Sequence, residues 1–267
     1  MSDRLDDVLA VEPLDAGDFR ARIPDGWQQG RGAFGGLVLG LLARAMEQTA
    51  DDATRPLRTL SGEIVAPVLP GEARLRVFPM REGTGTKSLR AELVQEGEVR
   101  AHGHALFGKT RVRDRDQVML QGPPPAARDW ESVDVLPVEP PLGPAFGQHF
   151  EFRPTGPWPF SGSEPVAEGF VRARLPPQAF TAAHVIAHVD AWWPTMLAQE
   201  QGPRPMATVS FSVQLCAEPS ALPADKPFFH RSRLLAAHDG YFLELRELWT
   251  CEGLLVALNP QTFAILK

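Results

Sequence analysis

One plan occurs twice along this chain, and no other feature restricts its fold as tightly. In the first half, AFGGLVLGLLARAMEQTA (residues 33–50) places Val38, Leu41, Leu42, Ala45 and Met46 on one helical stripe, with Arg44 and Glu47 opposite. Four strand-like runs follow: LRTLSGEIVAPV, ARLRVFPMREG, KSLRAELVQEG and EVRAHGHALFGKTRV. In the second half, FTAAHVIAHVDAWWPTMLAQEQG has the helical pattern. MATVSFSVQLCA, FFHRSRLLAAHDG, YFLELRELWTCEG and LLVALNPQTFAIL have the strand pattern. Each half ends with two strands joined at a Glu-Gly pair, Glu96-Gly97 and Glu252-Gly253, where glycine favours a tight hairpin turn. A long helix followed by mostly antiparallel strands predicts an α+β unit, a sheet curling around one helix. The repetition predicts two such units. Prolines crowd the stretch from Pro123 to Pro165. Proline fixes φ and lacks an amide donor, so such a stretch suits a connector better than a sheet. A linker is therefore predicted at 114–146, between repeats at 1–113 and 147–267.

The 267 residues suffice for two modest domains. A net charge of −6 and a pI near 5.7 argue against a nucleic-acid or anionic-membrane surface as the main partner. The acidic start MSDRLDDVLAVEP has no apolar signal core, and no run reaches the roughly 18 apolar residues of a membrane span. A cytoplasmic location is expected. Cys216 and Cys251 fall within strand-like runs and are expected to be reduced, packed thiols.

The second helix carries an anomaly. Taking about 100° per residue, Asp190 falls about 40° from Ile186, in the centre of the apolar stripe. An ionised carboxylate there is costly unless donors surround it, and its pKa rises. Pro194 cannot donate the amide that would bond the Asp190 carbonyl, so the helix is predicted to bend or open at this turn. A carboxylate aimed into a cavity can act as a base. A surface aspartate beside a tolerated kink is the plainer alternative. His184 and His188 have a spacing that can bind zinc. They fall opposite Asp190, and a solvent-facing pair without metal is expected. His102 and His104 alternate on one strand and share a face.

Several segments carry a resemblance to a known family. FGGLVLGLLARAM, with GEIVAPVLPGEARLRVFPMREGTGTKSLRAELVQEGEVRAHGHALF, resembles the N-terminal repeat of the bacterial acyl-CoA thioesterase II (TesB-like) family. HFEFRPT resembles the opening strand of that family's second repeat. VDAWWPTML, MATVSFSVQL and NPQTFAIL resemble the segments carrying its catalytic aspartate, threonine and glutamine. The resemblance spans nearly the whole chain outside the linker. It implies a double hotdog, two repeats sharing one continuous sheet. It also implies a homo-oligomer, an acyl-CoA substrate, no cofactor beyond the coenzyme A of the substrate, and Asp190, Thr208 and Gln261 as catalytic residues.

The residues bear on each role separately. In TVSFSVQL the even positions, from Thr208 to Gln214, are polar and the odd ones apolar. Strict alternation would turn Thr208 away from the helix, against the resemblance; a bulge at the strand's start would reconcile them. Gln261 shares parity with Phe263 and Ile265 and follows Pro260, so it is expected to face the core as a buried amide needing partners. Gly35 and Gly36, at the start of the first helix, leave backbone amides unsatisfied and are the candidate donors to the thioester oxygen. Plain helix–sheet packing would use the same glycines. Trp158, Phe160, Trp192 and Trp193 are candidates to shape an acyl pocket.

No GxSxG motif occurs, and neither cysteine has a catalytic setting. A thiol with a pKa near 8.5 leaves without much acid help. Direct attack of an activated water on a thioester is therefore the expected reaction. A hotdog dehydratase or hydratase would pair a histidine with an acid, and a silent acyl-thioester binding protein would need neither; both remain alternatives at this point.

Overall fold

A computed structural model of the chain describes residues 3–112, 116–123 and 125–266. The expected boundary between first repeat and linker, at 113–114, lies outside the described residues. The first repeat opens with a short helix α1 (Leu5–Val8), a hairpin of β1 (Glu12–Asp15) and β2 (Asp18–Ile23), and a small ribbon of β3 (Gln28–Gln29) and β4 (Gly32–Ala33). Its main helix α2 (Gly35–Ala50) precedes β5 (Leu57–Ile64), β6 (Gly71–Glu82), β7 (Thr86–Gln95) and β8 (Glu98–Gly108). After 3₁₀ turns at Pro125–Ser132 and Ala145–His149, the second repeat contains β9 (Phe150–Pro154), β10 (Val166–Ala173) and its main helix α3 (Ala182–Asp190). A 3₁₀ turn at Thr195–Ala198 then leads to β11 (Met206–Leu215), β12 (Phe228–His238), β13 (Tyr241–Thr250) and β14 (Leu255–Ile265). No helix among the described residues is long and apolar enough to cross a membrane.

All strands but β3 and β4 join one antiparallel 12-stranded sheet, in the order β1-β2-β6-β7-β8-β5-β11-β14-β13-β12-β10-β9. Exchanging β5 for β11, β8 for β14, β7 for β13, β6 for β12, β2 for β10 and β1 for β9 reverses this order onto itself. A pseudo-two-fold axis therefore passes between β5 and β11. There Ser61 is opposite Ser212, and their hydroxyls lie 3.0 Å apart. The axis also relates the helices. A methyl on Gly36 would lie 2.9 Å from the Ala187 Cα, and one on Gly40 would lie 3.3 Å from the Ala183 carbonyl oxygen. Gly36 occupies in α2 the place of Ala183 in α3, and Gly40 that of Ala187, so each contact is the image of the other.

The apolar stripe of α2 lies in the core as predicted, with Val38, Leu41, Leu42, Ala45 and Met46 inaccessible. Every residue of α3 is buried. His184 and His188 are thus buried, against the expectation of a wet pair. The far side of α3 is closed by Phe180, Phe150, Phe228 and the N-terminal segment, so it has no solvent face. His184 forms a capping box with Thr181, and its Nε2 lies 3.3 Å from Asp6. His188 accepts the Ala173 amide on Nε2, which leaves Nδ1 as the donor to the His184 carbonyl at 2.7 Å. Burial pushes both imidazoles down to about 4, so they are neutral near pH 7.

The matched Glu-Gly pairs make unlike turns. Glu96 and Gly97, with φ of 53° and 82°, form a two-residue turn between the paired Gln95 and Glu98. At the second pair only Gly253 has positive φ, and Thr250 closes a longer loop by bonding Leu254. Both cysteines are free, as expected, and Cys251 is buried; against expectation Cys216 is exposed, and both lie just beyond strand ends. His102 and His104 lie on the outer sheet face, alternating with buried Ala101, Gly103 and Ala105.

Candidate active site

The expected opening at Pro194 occurs as a full stop. α3 ends at Asp190, and Pro194 caps the separate turn at Thr195–Ala198. A proline here cannot donate to the carbonyl one turn back. The released carbonyls of Val189 and Asp190 are met by Arg246 Nη1, at 3.5 and 3.2 Å.

The Asp190 side chain is 5% exposed. Its Oδ1 accepts from Gln261 Nε2 at 2.9 Å and lies 3.5 Å from Arg246 Nη1. Burial raises its pKa to about 6, against the lowering influence of Arg246, Gln261 and the Gly36 amide; Glu244 adds to the rise. The carboxylate is thus half-charged near pH 6 and largely ionised at pH 7.

Gln261 faces the core, as its parity predicts, and its Nε2 also donates to Thr208 Oγ1 at 2.8 Å. Thr208 points inward because β11 is bulged. Thr208 pairs with Phe263 and Ser210 with Thr262, so Val209 is the unpaired residue between them. The extra residue switches the strand's facing. Polar parity beyond it says nothing about Thr208. Asp190, Gln261 and Thr208 are therefore brought together in one hydrogen-bonded row.

Gly35 and Gly36 are beside this row. Their amides reach no main-chain carbonyl among the described residues. The Gly36 N–H acts on the Asp190 carboxylate rather than standing open. A Cβ on Gly35 would lie 2.8 Å from Asp190 Oδ2, closer than real Cβ contacts. The glycine thus makes room for the acid, a role beyond helix packing.

Sequence reasoning missed Arg246 and Glu244. Arg246 Nε and Nη2 donate to Glu244 Oε1 at 2.8 and 2.6 Å, and Glu244 Oε2 accepts the amide and hydroxyl of Thr195 at 2.8 and 2.6 Å. Both side chains are within 1% of complete burial. Their signal was present in YFLELRELW: Glu244 and Arg246 alternate with Phe242 and Leu248 on one strand face, which places an ion pair among core residues. Of the aromatic candidates, Trp192 is buried and stacked on His230. Trp158 and Phe160 are 52% and 42% exposed and do not join the core.

The two-fold axis places a second location at the opposite end of the helix pair. Asp190 is the ninth residue of α3, and the ninth of α2 is Ala43. The bulge in β11 is repeated in β5, between Leu57 and Thr59, which makes Leu57 the image of Thr208. By the same register Ala105 is the image of Gln261. A cleft of about 500 Å³ lies there, lined by Leu57, Phe107, Phe180 and Arg44 among others. Glu47 enters it one helical turn beyond Ala43, where the Ala182 amide acts on its carboxylate. Burial raises the Glu47 pKa.

The fold is a double hotdog, and the two thioesterase domains matched along the chain give its class. The acyl-CoA thioesterase N-terminal domain matches residues 23–108, and the acyl-CoA thioesterase C-terminal domain matches residues 121–265. The chain belongs to the acyl-CoA thioesterase family. Among curated proteins none matches it by sequence. Among solved structures, it is similar to a conserved protein of unknown function with a hot dog fold from Alicyclobacillus acidocaldarius, at 21% identity and a TM-score of 0.85, covering 100% of this chain and 99% of that one. It is also similar to the tesB protein of Mycobacterium avium subs paratuberculosis, at 17% identity and a TM-score of 0.78, over 98% of both chains. The acyl-CoA thioesterase II TesB2 of Mycobacterium marinum aligns at 18% identity and a TM-score of 0.72, over 98% of both chains. These likenesses carry the double hotdog fold.

Proposed function

We propose that this enzyme hydrolyses acyl-CoA thioesters to a free acid and coenzyme A by direct attack of water. Asp190 takes a proton from the water, Gln261 and Thr208 hold it, and the water oxygen forms the new bond to the acyl carbon. The amide at Gly35, free of main-chain acceptors, is the donor offered to the thioester oxygen as charge develops there. As the carbon–sulfur bond breaks, the proton held by Asp190 passes to the sulfur, coenzyme A leaves as a thiol and the carboxylate is restored. The observation that carries this reading is the Gln261 amide, 2.9 Å from Asp190 Oδ1 and 2.8 Å from Thr208 Oγ1. A water bonded to the acid and the hydroxyl would sit against it. The dehydratase reading receives no support from the helix histidines, whose ring nitrogens face Thr181, Asp6, Ala173 and the His184 carbonyl.

The test is a panel of acyl-CoAs of graded chain length with a free-thiol reagent. We expect thiol release from the wild type and its loss in Asp190→Asn, which keeps the shape and removes the base. Equal turnover in the two proteins sinks the mechanism.

A further inference from the structure

α3 is the weak point of this site. A helix end inside a core leaves carbonyls without partners, and each such group destabilises the fold unless it is met. The carboxylate on that last residue adds a buried charge. Arg246 answers both needs at once. One arm of its guanidinium, Nη1, faces the Val189 and Asp190 carbonyls and Asp190 Oδ1. The opposite edge, Nε and Nη2, is closed on Glu244 Oε1. Glu244 in turn holds the amide and hydroxyl of Thr195, the first residue after Pro194. The two backbone ends on either side of the break are thereby tied through one ion pair on β13.

We propose that Arg246 is the positioning residue of this reaction: clamped by Glu244, it caps the broken end of α3 and fixes the Asp190 carboxylate, ionised, against Gln261. This rests on the thioesterase reading above and adds a residue to it. The planar fork matters, because a point charge cannot span a carboxylate and two carbonyls in fixed geometry. The charged groups around Asp190 support the assignment. From β13 come Arg246 and Glu244, and from β14 the neutral Gln261. From α2 comes the Gly36 amide. On β12, His230 is fully buried and stacked on Trp192, and burial with the nearby Arg246 holds its pKa well below the usual imidazole range. Two acids thus share one guanidinium.

Two variants separate positioning from simple folding. Glu244→Gln with Arg246→Gln removes both charges together, so no lone ion stays buried. Arg246→Lys keeps the charge and loses the fork. The Asp190 carboxyl is titrated by carbon-13 NMR on aspartate-labelled protein, with Asp190→Asn assigning the signal, alongside the pH profile of kcat/KM. In the double variant we expect the Asp190 midpoint to rise by about one pH unit, with the acid limb of kcat/KM following it. In Arg246→Lys we expect the midpoint to stay near that of the wild type while kcat falls roughly a hundredfold at unchanged KM. A double variant with the wild-type midpoint, or a lysine variant with full kcat, overturns the proposal. Should the double variant fail to fold, the lysine variant decides alone. A wild type that releases no thiol from any acyl-CoA rejects the reaction itself, while the NMR midpoint still reports on Arg246.

Discussion

The two ends of the helix pair are built on one plan and finished differently. At one end the start of α2 meets the end of α3, and Asp190, Gln261 and Thr208 line up beside Gly35. At the other end the start of α3 meets the middle of α2, and the images of those three residues are Ala43, Gln261's counterpart Ala105, and Leu57. Ala182 stands where Gly35 does. The repeat thus presents two equivalent corners, and the acid–amide–hydroxyl row occupies one of them. The second corner is not blank. It has an open cleft and the half-buried Glu47, which approaches a helix-start amide as Asp190 does. The Gln261 amide and Thr208 hydroxyl that accompany Asp190 have no counterpart there, since Ala105 and Leu57 occupy the matching positions. What distinguishes the two ends is thus the partners of the carboxylate more than the carboxylate.

Substitutions can break this contrast in graded steps. The largest effect is expected for Asp190→Asn, a loss of thiol release on the order of a thousandfold with the fold intact by circular dichroism. Next is Gly35→Ala. Its methyl would press on Asp190 Oδ2 from 2.8 Å, and a displaced base lowers kcat by about a hundredfold. The mirror substitution, Ala182→Gly, should leave turnover alone and lower stability by at most about 1 kcal/mol, read from the denaturant midpoint. Thr208→Val, which keeps the shape without the hydroxyl, is expected to reduce kcat roughly tenfold, less than either change at Asp190 or Gly35.

The pH behaviour separates activity from stability. A base must be ionised to act, so kcat/KM should rise with pH, be half-maximal near pH 6 and level off about one unit higher. Stability moves oppositely. The folded pKa is raised from 3.8 to about 6, so the folded state binds the proton more tightly than the unfolded chain. This stabilisation is complete below about pH 4 and is lost as pH climbs through 6, an effect on the order of 3 kcal/mol. Asp190→Asn should flatten that part of the stability curve, measured as Tm against pH. The smallest effect is expected from Glu47→Gln at the other end, where turnover should match the wild type.

Much of the architecture was legible because burial imposes a period. The stripe of α2, the strand runs and the inward parity of Gln261 all follow from alternation or helical spacing. The acid in the apolar stripe and the proline four residues on marked the site for the same reason. What misled was local geometry that leaves periodicity intact. The α3 wheel gave His184 and His188 a wet face, but α3 is packed on all sides. The bulge at Val209 reversed the meaning of Thr208's parity, and only the family resemblance pointed inward. Equal Glu-Gly letters at 96–97 and 252–253 hid unequal loops. Arg246 was readable from its strand face but was passed over, since a charged residue is ordinarily assigned to solvent.

The seam between β5 and β11 has a consequence for how such a molecule can be divided. Asp190, the proposed base, comes from one half of the chain and the helix-start glycines from the other, across a join of main-chain ladders. On the proposed mechanism, neither half alone would contain every group of the reaction centre. The covalent tether between them keeps two unlike partners at a fixed one-to-one ratio and at high effective concentration. Under that arrangement the two copies need not carry the same side chains for the assembly to hold one complete site.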